Sequence, residues 1–320
     1  MLAPATVTVA DHALSWNAID WRQVNRAVSA LRQRIYRAAA AGDVKNVRNL
    51  QRLMLRSRAN RLLAVRYVTQ RNAGKGTPRV DKVVVKTPQA RIALYRELRD
   101  APLGKASPVK RTYIPKTNGK RRPLGIPTVR DRCYQMIVKN ALEPFWEAHF
   151  EGSSYGFRPG RSCHDAIVKI HRLANAQGRR RWVLETDIKG AFDGLNHTAL
   201  FGQTALFGQI GAFPARHWIT AWLKAGVMEN DHVEPTTVGA PQGGIISPLL
   251  LNIALHGMEA ALGIRHDYRG KLTGSSDYAL VRYADDLVIF GHDRDQCERA
   301  QETLSHWLAK RGVTVQPLTG

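Results

Sequence analysis

Cysteine is scarce in this 320-residue chain. Cys133, Cys163 and Cys297 are odd in number, far apart and free of any Cys-x-x-Cys spacing. That excludes a disulfide framework and a structural zinc site, and it points to a reducing, cytoplasmic compartment. Long apolar runs are missing as well: the longest, Ile245 to Leu255, is broken by Ser247, Pro248 and Asn252 and cannot span a bilayer. No basic-then-apolar leader opens the chain, so neither secretion nor a membrane partner is expected. Acid is scarce at one end only. Residues 1–122 hold 6 Asp+Glu against 27 Lys+Arg, whereas residues 123–320 hold 20 against 21. What is present in quantity is apolar residue, 44% of the chain, enough for a substantial core, and a formal net charge of +22. Concentrated in one part, that charge reads as a footprint for a polyanion, nucleic acid first, because Lys and Arg contacts to phosphate release counterions. A solubilising surface or an anionic membrane contact is the alternative.

Periodicity places the elements. Val24, Val28, Leu31 and Ile35 recur at spacings of 4, 3 and 4, one helical face between Asp20 and Ala41. Gly42-Asp43 stops that helix and caps a second, Asp43 to Gln70, with Val47, Leu50, Leu53 and Met54 inward and Lys45, Arg48, Arg52, Arg56, Arg58 and Arg61 outward. Residues 108–127 form a two-stranded ribbon whose Asn118-Gly119 pair signals a tight turn among Lys116, Lys120, Arg121 and Arg122. Arg130 to His149 is a helix with an apolar face of Tyr134, Ile137, Val138, Ala141 and Leu142. A loop follows over 153–161, then a helix over 162–176, then a strand, Trp182 to Asp187, that ends in an acid. A helical stretch reaches Leu223. Strand-like residues near Val227 and Val238, a Pro/Gly turn at 240–244, a helix from Ser247 to Leu262 and a last helix from Arg294 to Arg311 complete the pattern.

The chemistry sits in Tyr283-Ala284-Asp285-Asp286, two adjacent acids at the bend of an apolar hairpin. Carboxylates there are expensive unless a cation compensates them. Strand alternation sends Asp285 and Asp286 to opposite faces and gives Asp285 the face it shares with Asp187. Carboxylates converging from neighbouring strands can hold two Mg²⁺ ions roughly 3.5–4 Å apart for in-line phosphoryl displacement. An isolated acid pair could equally be a turn, a helix cap or a salt-bridge site.

Five ordered segments break that tie: Tyr-Ile-Pro-Lys…Arg-Pro-Leu-Gly-Ile-Pro-Thr (113–128), Ser-Ser-Tyr-Gly-Phe-Arg-Pro-Gly-Arg (153–161), Glu-Thr-Asp-Ile-Lys-Gly-Ala-Phe-Asp (185–193), Gly-Ala-Pro-Gln-Gly-Gly-Ile-Ile-Ser-Pro-Leu-Leu-Leu-Asn (239–252) and Arg-Tyr-Ala-Asp-Asp (282–286). In them the chain resembles the reverse transcriptases, most closely those of group II introns and their bacterial relatives, and residues 21–68 are similar to that family's N-terminal extension. The resemblance implies an α/β (α+β) right-hand polymerase. Residues 1–17 would be a flexible lead-in, 18–79 a basic helical extension, 80–180 the fingers and 181–320 the palm. By the resemblance Asp187 and Asp285 ligate two Mg²⁺ ions, for which Mn²⁺ can substitute, and Asp286 assists. Phe192 is the steric gate that favours deoxynucleotides, or else a core residue at a strand end. Gln242 meets the incoming nucleotide near its sugar. Lys116 and Arg122 grip the triphosphate or are merely solvated among the ribbon's cations, Arg158 and Arg161 touch the template backbone or brace their loop through a salt bridge, Tyr283 lies beside primer and template, and His197 is structural and not a general base.

The implied reaction is attack of a primer 3′-oxygen on a deoxynucleoside triphosphate along an RNA template, from a DNA or RNA primer, with intron RNA as a further partner and a bacterial-type intracellular setting. Two departures stand out. Thr77-Pro78 is followed by Arg79-Val80-Asp81-Lys82 where the family has Gly-Val-Asp-Gly. The sequence also halts at Gly320, where the family continues into a helical thumb, so the expectation is a missing thumb, by truncation or as a short form completed by a second subunit. The competing readings are a weakly active or inactive RNA-binding, maturase-like fragment that assists intron RNA folding, and an RNA-dependent RNA polymerase.

Overall fold

A computed structural model of the chain describes residues 14–101, 104–115, 119, 121–175, 180–195, 210–211, 213–266, 273 and 277–316. Asp20 caps helix α1 (Trp21–Ala40) by accepting from the Arg22 and Gln23 amides, and the four residues of the expected apolar stripe are all buried. Gly42, at φ 71, reverses the chain into α2 (Val44–Arg56), capped by Asp43. The second helix is shorter than its periodicity predicts. It ends at Ser57, whose extended backbone and Oγ start a separate helix, α3 (Arg58–Arg66), followed by a π turn over Tyr67–Arg71. Within α2 the buried face is Val47, Leu50, Gln51 and Met54, the i, i+3, i+4, i+7 set, so Leu53, expected inward, falls off it and is 52% exposed, and Gln51 is buried instead.

These helices and α4 (Pro88–Asp100) pack around α5 (Val129–Glu147), which is buried on nearly every side and forms the middle of the larger core. A wholly buried amide pins the layers together. Asn60 Nδ2 donates to the carbonyls of Met54 (3.0 Å) and Ile137 (3.1 Å), and its Oδ1 accepts from Asn140 Nδ2 (2.7 Å). The departure at 79–82 leaves a turn of the kind glycine favours: Lys82 adopts φ 57, and buried Arg79 donates to Gly74 O.

Two four-stranded sheets follow. The first has order β2-β1-β4-β5, from β1 (Val109–Pro115), β2 (Arg121–Ile126), β4 (Val227–Glu229) and β5 (His232–Glu234). Its ribbon is the predicted one, and β1 also runs parallel to β4. The second is antiparallel, order β6-β7-β3-β8, from β3 (Trp182–Lys189), β6 (Ala279–Tyr283), β7 (Asp286–Gly291) and β8 (Thr314–Val315). Helix α6 (Cys163–Ala174) packs on β6, and α7 (Arg216–Leu223) precedes β4. The helix expected over 247–262 is broken at Gly257, at φ 100, into α8 (Ser247–Ala254) and α9 (Met258–Ala261). Finally α10 (Arg294–Ala309) covers β7, β3 and β8. Among the described residues no helix is long and apolar enough to cross a membrane.

Asn60→Ala removes a side-chain donor from two buried carbonyls and leaves the buried Asn140 Nδ2 without its acceptor, so we expect a loss of about 2–3 kcal/mol in urea unfolding. Asn49→Ala, exposed on α2, should lose less than about 0.5 kcal/mol.

Candidate active site

Strand β3 lies between β7 and β8, and its C-terminal end carries Asp187. The Ile188 amide donates to Asp285 O (3.0 Å), and the Gln316 amide donates to Asp187 O (2.9 Å), so the acid-bearing end is held from both sides. Between β6 and β7 the chain turns on two residues, Ala284 and Asp285, with Ala284 at φ 59. An alanine there is strained by about 1–3 kcal/mol, so its surroundings must hold it. The 153–157 segment provides part of that hold. It runs beside β6, with the Tyr155 amide donating to Arg282 O and the Arg282 amide to Ser153 O. Gly156 is pressed so closely on the turn that a Cβ there would lie 2.9 Å from Ala284 Cα and nearer still to its amide nitrogen.

At the junction of the two sheets is a recess of about 180 Å³ lined by Asp187, Asp285, Arg121, Arg122, Phe192, Asp193 and Gln242, with Pro123, Ile188, Gly190 and Ala191. Five of the residues singled out from sequence therefore meet in one place. Acids come from the second sheet, and the facing cations come from β2 of the first. The turn bearing Gln242 is fastened on several sides: the Gly125 amide donates to Gln242 O (2.8 Å), the Ala240 amide to Phe192 O (2.7 Å), and Arg132 Nη1 to Gly243 O (2.6 Å). Gln242 Nε2 donates to Asp193 Oδ2 (2.8 Å), which sets the amide's orientation. The Phe192 ring meets the Phe157 ring edge-on, with centroids 6.1 Å apart.

Strand alternation fails at the turn. Asp286, not Asp285, is the register partner of Asp187, because Asp285 belongs to the bend and leaves the pleat. Asp285 still reaches the recess with Asp187, and Asp286 is exposed outside its lining. Burial, the Asp285 charge and Glu185 hold the Asp286 carboxyl above its usual range. Burial also raises Asp193, against the opposing pull of Arg111, the Gln242 bond and Arg122.

Of the two readings of Arg158, template contact and loop-bracing salt bridge, the structure shows the brace and corrects the template contact. The side chain is 7% exposed and is consumed inside the protein: Nη2 pairs with Glu147 (2.9 Å), while Nη1 donates to Glu151 O and Ser154 O (2.8 Å each). Arg161 also braces the loop, donating to Gly152 O (2.6 Å), but keeps a partly open edge. Tyr283 is 37% exposed beside the turn. Lys116, Asn118, Lys120 and His197 lie outside the described residues. Sequence reasoning gave no role to Asp193 and Arg121, although both stand inside the matched segments.

The donor set suits a hard divalent cation. Asp187 and Asp285 offer carboxylate oxygens, Asp187 Oδ1 being screened from solvent, and among the described residues no His or Cys lines the recess. Among the described residues no three acidic, His or Cys side chains cluster tightly enough to form an all-protein cage. Two carboxylates completed by substrate phosphates and water is the pattern for Mg²⁺, not for Zn²⁺.

Comparison with known proteins gives the family. The model for "Reverse transcriptase (RNA-dependent DNA polymerase)" matches residues 114–318, and that for the "N-terminal domain of reverse transcriptase" matches residues 16–98. The chain belongs to the reverse transcriptase family. This reverse transcriptase is 35% identical to Protein YkfC of Escherichia coli (strain K12) over 290 residues, 82% of this chain and 75% of that one. It is 47% identical to the group II intron-encoded protein LtrA of Lactococcus lactis subsp. cremoris over 153 residues, 48% of this chain and 25% of that one. A solved chain of a partial Cas6-RT-Cas1–Cas2 complex aligns with a TM-score of 0.43 at 22% identity, covering 80% of this chain and 40% of that one.

Gly156→Ala in this reverse transcriptase drives a methyl group into backbone that cannot swing aside. We expect about 1–3 kcal/mol of destabilisation by chemical denaturation. Gly152→Ala, with open space around it, should be close to neutral.

Proposed function

We propose that the protein is an RNA-directed DNA polymerase that extends a DNA or RNA primer with deoxynucleoside triphosphates on an RNA template, inside the cell, in association with a group II intron or related retroelement. One observation carries this reading: Asp187 and Asp285, about a hundred residues apart, line a single recess whose other wall is Arg121 and Arg122. A triphosphate is the ligand such a split demands, since its phosphates can face the arginines and share a cation with the acids.

Within that site Arg122, with Arg121, neutralises the triphosphate and orients it by charge-assisted hydrogen bonds, and Lys116 is placed in the same role by its position on the ribbon. Phe192 lies under the sugar and leaves no room for a 2′-hydroxyl. Gln242, oriented by Asp193, offers its amide beside the sugar. Two Mg²⁺ ions, replaceable by Mn²⁺, held by Asp187 and Asp285 with Asp286 at the periphery, would supply Lewis acidity toward the primer hydroxyl and the departing pyrophosphate. No side-chain nucleophile takes part.

The basic extension supports RNA binding alongside this chemistry. Arg52, Arg56, Arg61 and Arg99, with Trp218 and His217, line a cavity of about 380 Å³ between the N-terminal helices and the body, well suited to phosphate and an unpaired base. A maturase-like role in intron RNA folding rests on this surface and needs neither aspartate.

Primer extension on RNA separates the two. Asp285→Asn should lower the extension rate about 10³-fold and leave RNA affinity unchanged. Arg52→Ala with Arg56→Ala should flatten the salt dependence of RNA binding by about 0.7 per lost contact and leave the rate at saturating RNA unchanged. Extension that survives Asp285→Asn would refute the polymerase assignment.

A further inference from the structure

Arg282 is the largest of the side chains that are almost completely buried, at 1% exposure. A guanidinium in such a place is expensive, and an apolar side chain of similar volume is often as stable or more so. Among the described residues no carboxylate lies within ion-pair distance to compensate it. Glu151 and Glu259 stand in the surroundings but are engaged elsewhere: Glu151 accepts from the Gly257 and Glu259 amides, and Glu259 accepts from Ser153 Oγ and meets His266. Burial lowers the Arg282 pKa to about 10, so the group stays charged at neutral pH. Packing alone does not account for it.

Its hydrogen bonds do. Nη1 donates to Ala284 O (3.0 Å) and to Asn252 Oδ1 (2.9 Å), and Nη2 donates to Ser154 Oγ (2.6 Å). Asn252 in turn donates through Nδ2 to Gly156 O (2.9 Å). One planar fork thereby joins the 153–157 loop, helix α8 and the strained turn whose next residue is Asp285. With the Ala284 carbonyl released, the Ala284–Asp285 peptide is free to rotate away from its left-handed start. The Ile188 amide on Asp285 O would then be the turn's remaining tether to β3.

We propose that Arg282 is a positioning residue for nucleotide addition: its buried guanidinium grips the Ala284 carbonyl, anchored by Asn252 and Ser154, and so fixes the reach of the Asp285 carboxylate into the recess. The inference rests on the polymerase reading for its kinetic consequence, though not for its geometric one. A lysine keeps the charge but cannot bridge the three acceptors as a planar fork.

The test uses the full chain, with circular dichroism to establish folding, single-nucleotide incorporation on an RNA template, and Mn²⁺ titration by electron paramagnetic resonance without nucleic acid. Arg282→Lys should lower the incorporation rate about 10²-fold, as an ångström-scale displacement of a reacting group does. Nucleotide half-saturation should hold within about threefold, and Mn²⁺ affinity should fall about tenfold, as for loss of a group that orients a metal ligand. Gly152→Ala, which adds a methyl group in open space and touches none of these bonds, should stay within about threefold of wild type in rate and Mn²⁺ affinity. A folded Arg282→Lys protein with wild-type rate and Mn²⁺ affinity overturns the proposal. If that variant does not fold, Asn252→Ala decides: about tenfold slower incorporation at unchanged half-saturation supports the anchoring, and a wild-type rate refutes it. A wild-type protein that incorporates nothing would defeat the polymerase reading, while the Mn²⁺ titration would still judge Arg282.

Discussion

Two carboxylates from distant parts of the chain are held in one recess against their mutual repulsion, and the surrounding fold provides the restraint. Strand β3 delivers Asp187 at its C-terminal end, and the β6–β7 turn delivers Asp285 beside it. Neither position is comfortable. One acid is partly screened from water, the other follows an alanine at φ 59, and neighbouring Asp286 shows the strain as a carboxyl that gives up its proton less readily. Such an arrangement persists where the backbone leaves no alternative and where the ligand relieves the charge.

The restraint is built from short, directional contacts and little apolar packing. Gly156 lies against the turn because it has no side chain, Arg282 and Asn252 tie that loop to the turn and to α8, and the Gln242 turn is fastened to β2, to α5 and to the segment after β3. Charges are sorted by sheet. Acids enter from the antiparallel second sheet and Arg121 and Arg122 from the first, so a ligand carrying both phosphates and a divalent cation fits across the junction as neither partner alone does. The excess positive charge of residues 1–122 extends the same logic outward: on the proposed reading it is a broad surface for nucleic-acid phosphates beside a small recess for the triphosphate.

Much of this was legible in the sequence, for identifiable reasons. The α1 stripe and its Asp20 cap, the 108–127 ribbon and the strand ending in Asp187 follow from spacing and local hydrogen bonding, which neighbouring residues determine. The readings that failed depended on tertiary context. Leu53 is the exception: its apolar character argues for an inward place, although the helical period alone places Val47, Leu50, Gln51 and Met54 on one face and leaves Leu53 off it. The helix predicted through Gly257 breaks where that glycine takes a left-handed conformation. Arg158 resembles a phosphate ligand in every local respect. Its partner, Glu147, sits at the end of α5, and only the fold shows that the pair is closed off. Strand alternation named the right acid by the wrong route: Asp285 lines the recess with Asp187 and Asp286 does not, but Asp285 gets there from a bend and not from a pleat. Arg282 and Asn252 stood within matched segments, yet their significance lies in burial, which sequence spacing does not record.

The central claim is that Asp187 and Asp285 share a divalent cation over a bound triphosphate. Crystals of the protein with an RNA–DNA primer–template, a non-hydrolysable deoxynucleotide and Mn²⁺ would test it most directly through anomalous scattering. The account predicts a manganese peak in contact with both carboxylates, with the triphosphate against Arg121 and Arg122. Nucleotide bound elsewhere, or manganese confined to one aspartate at full nucleotide occupancy, would contradict it.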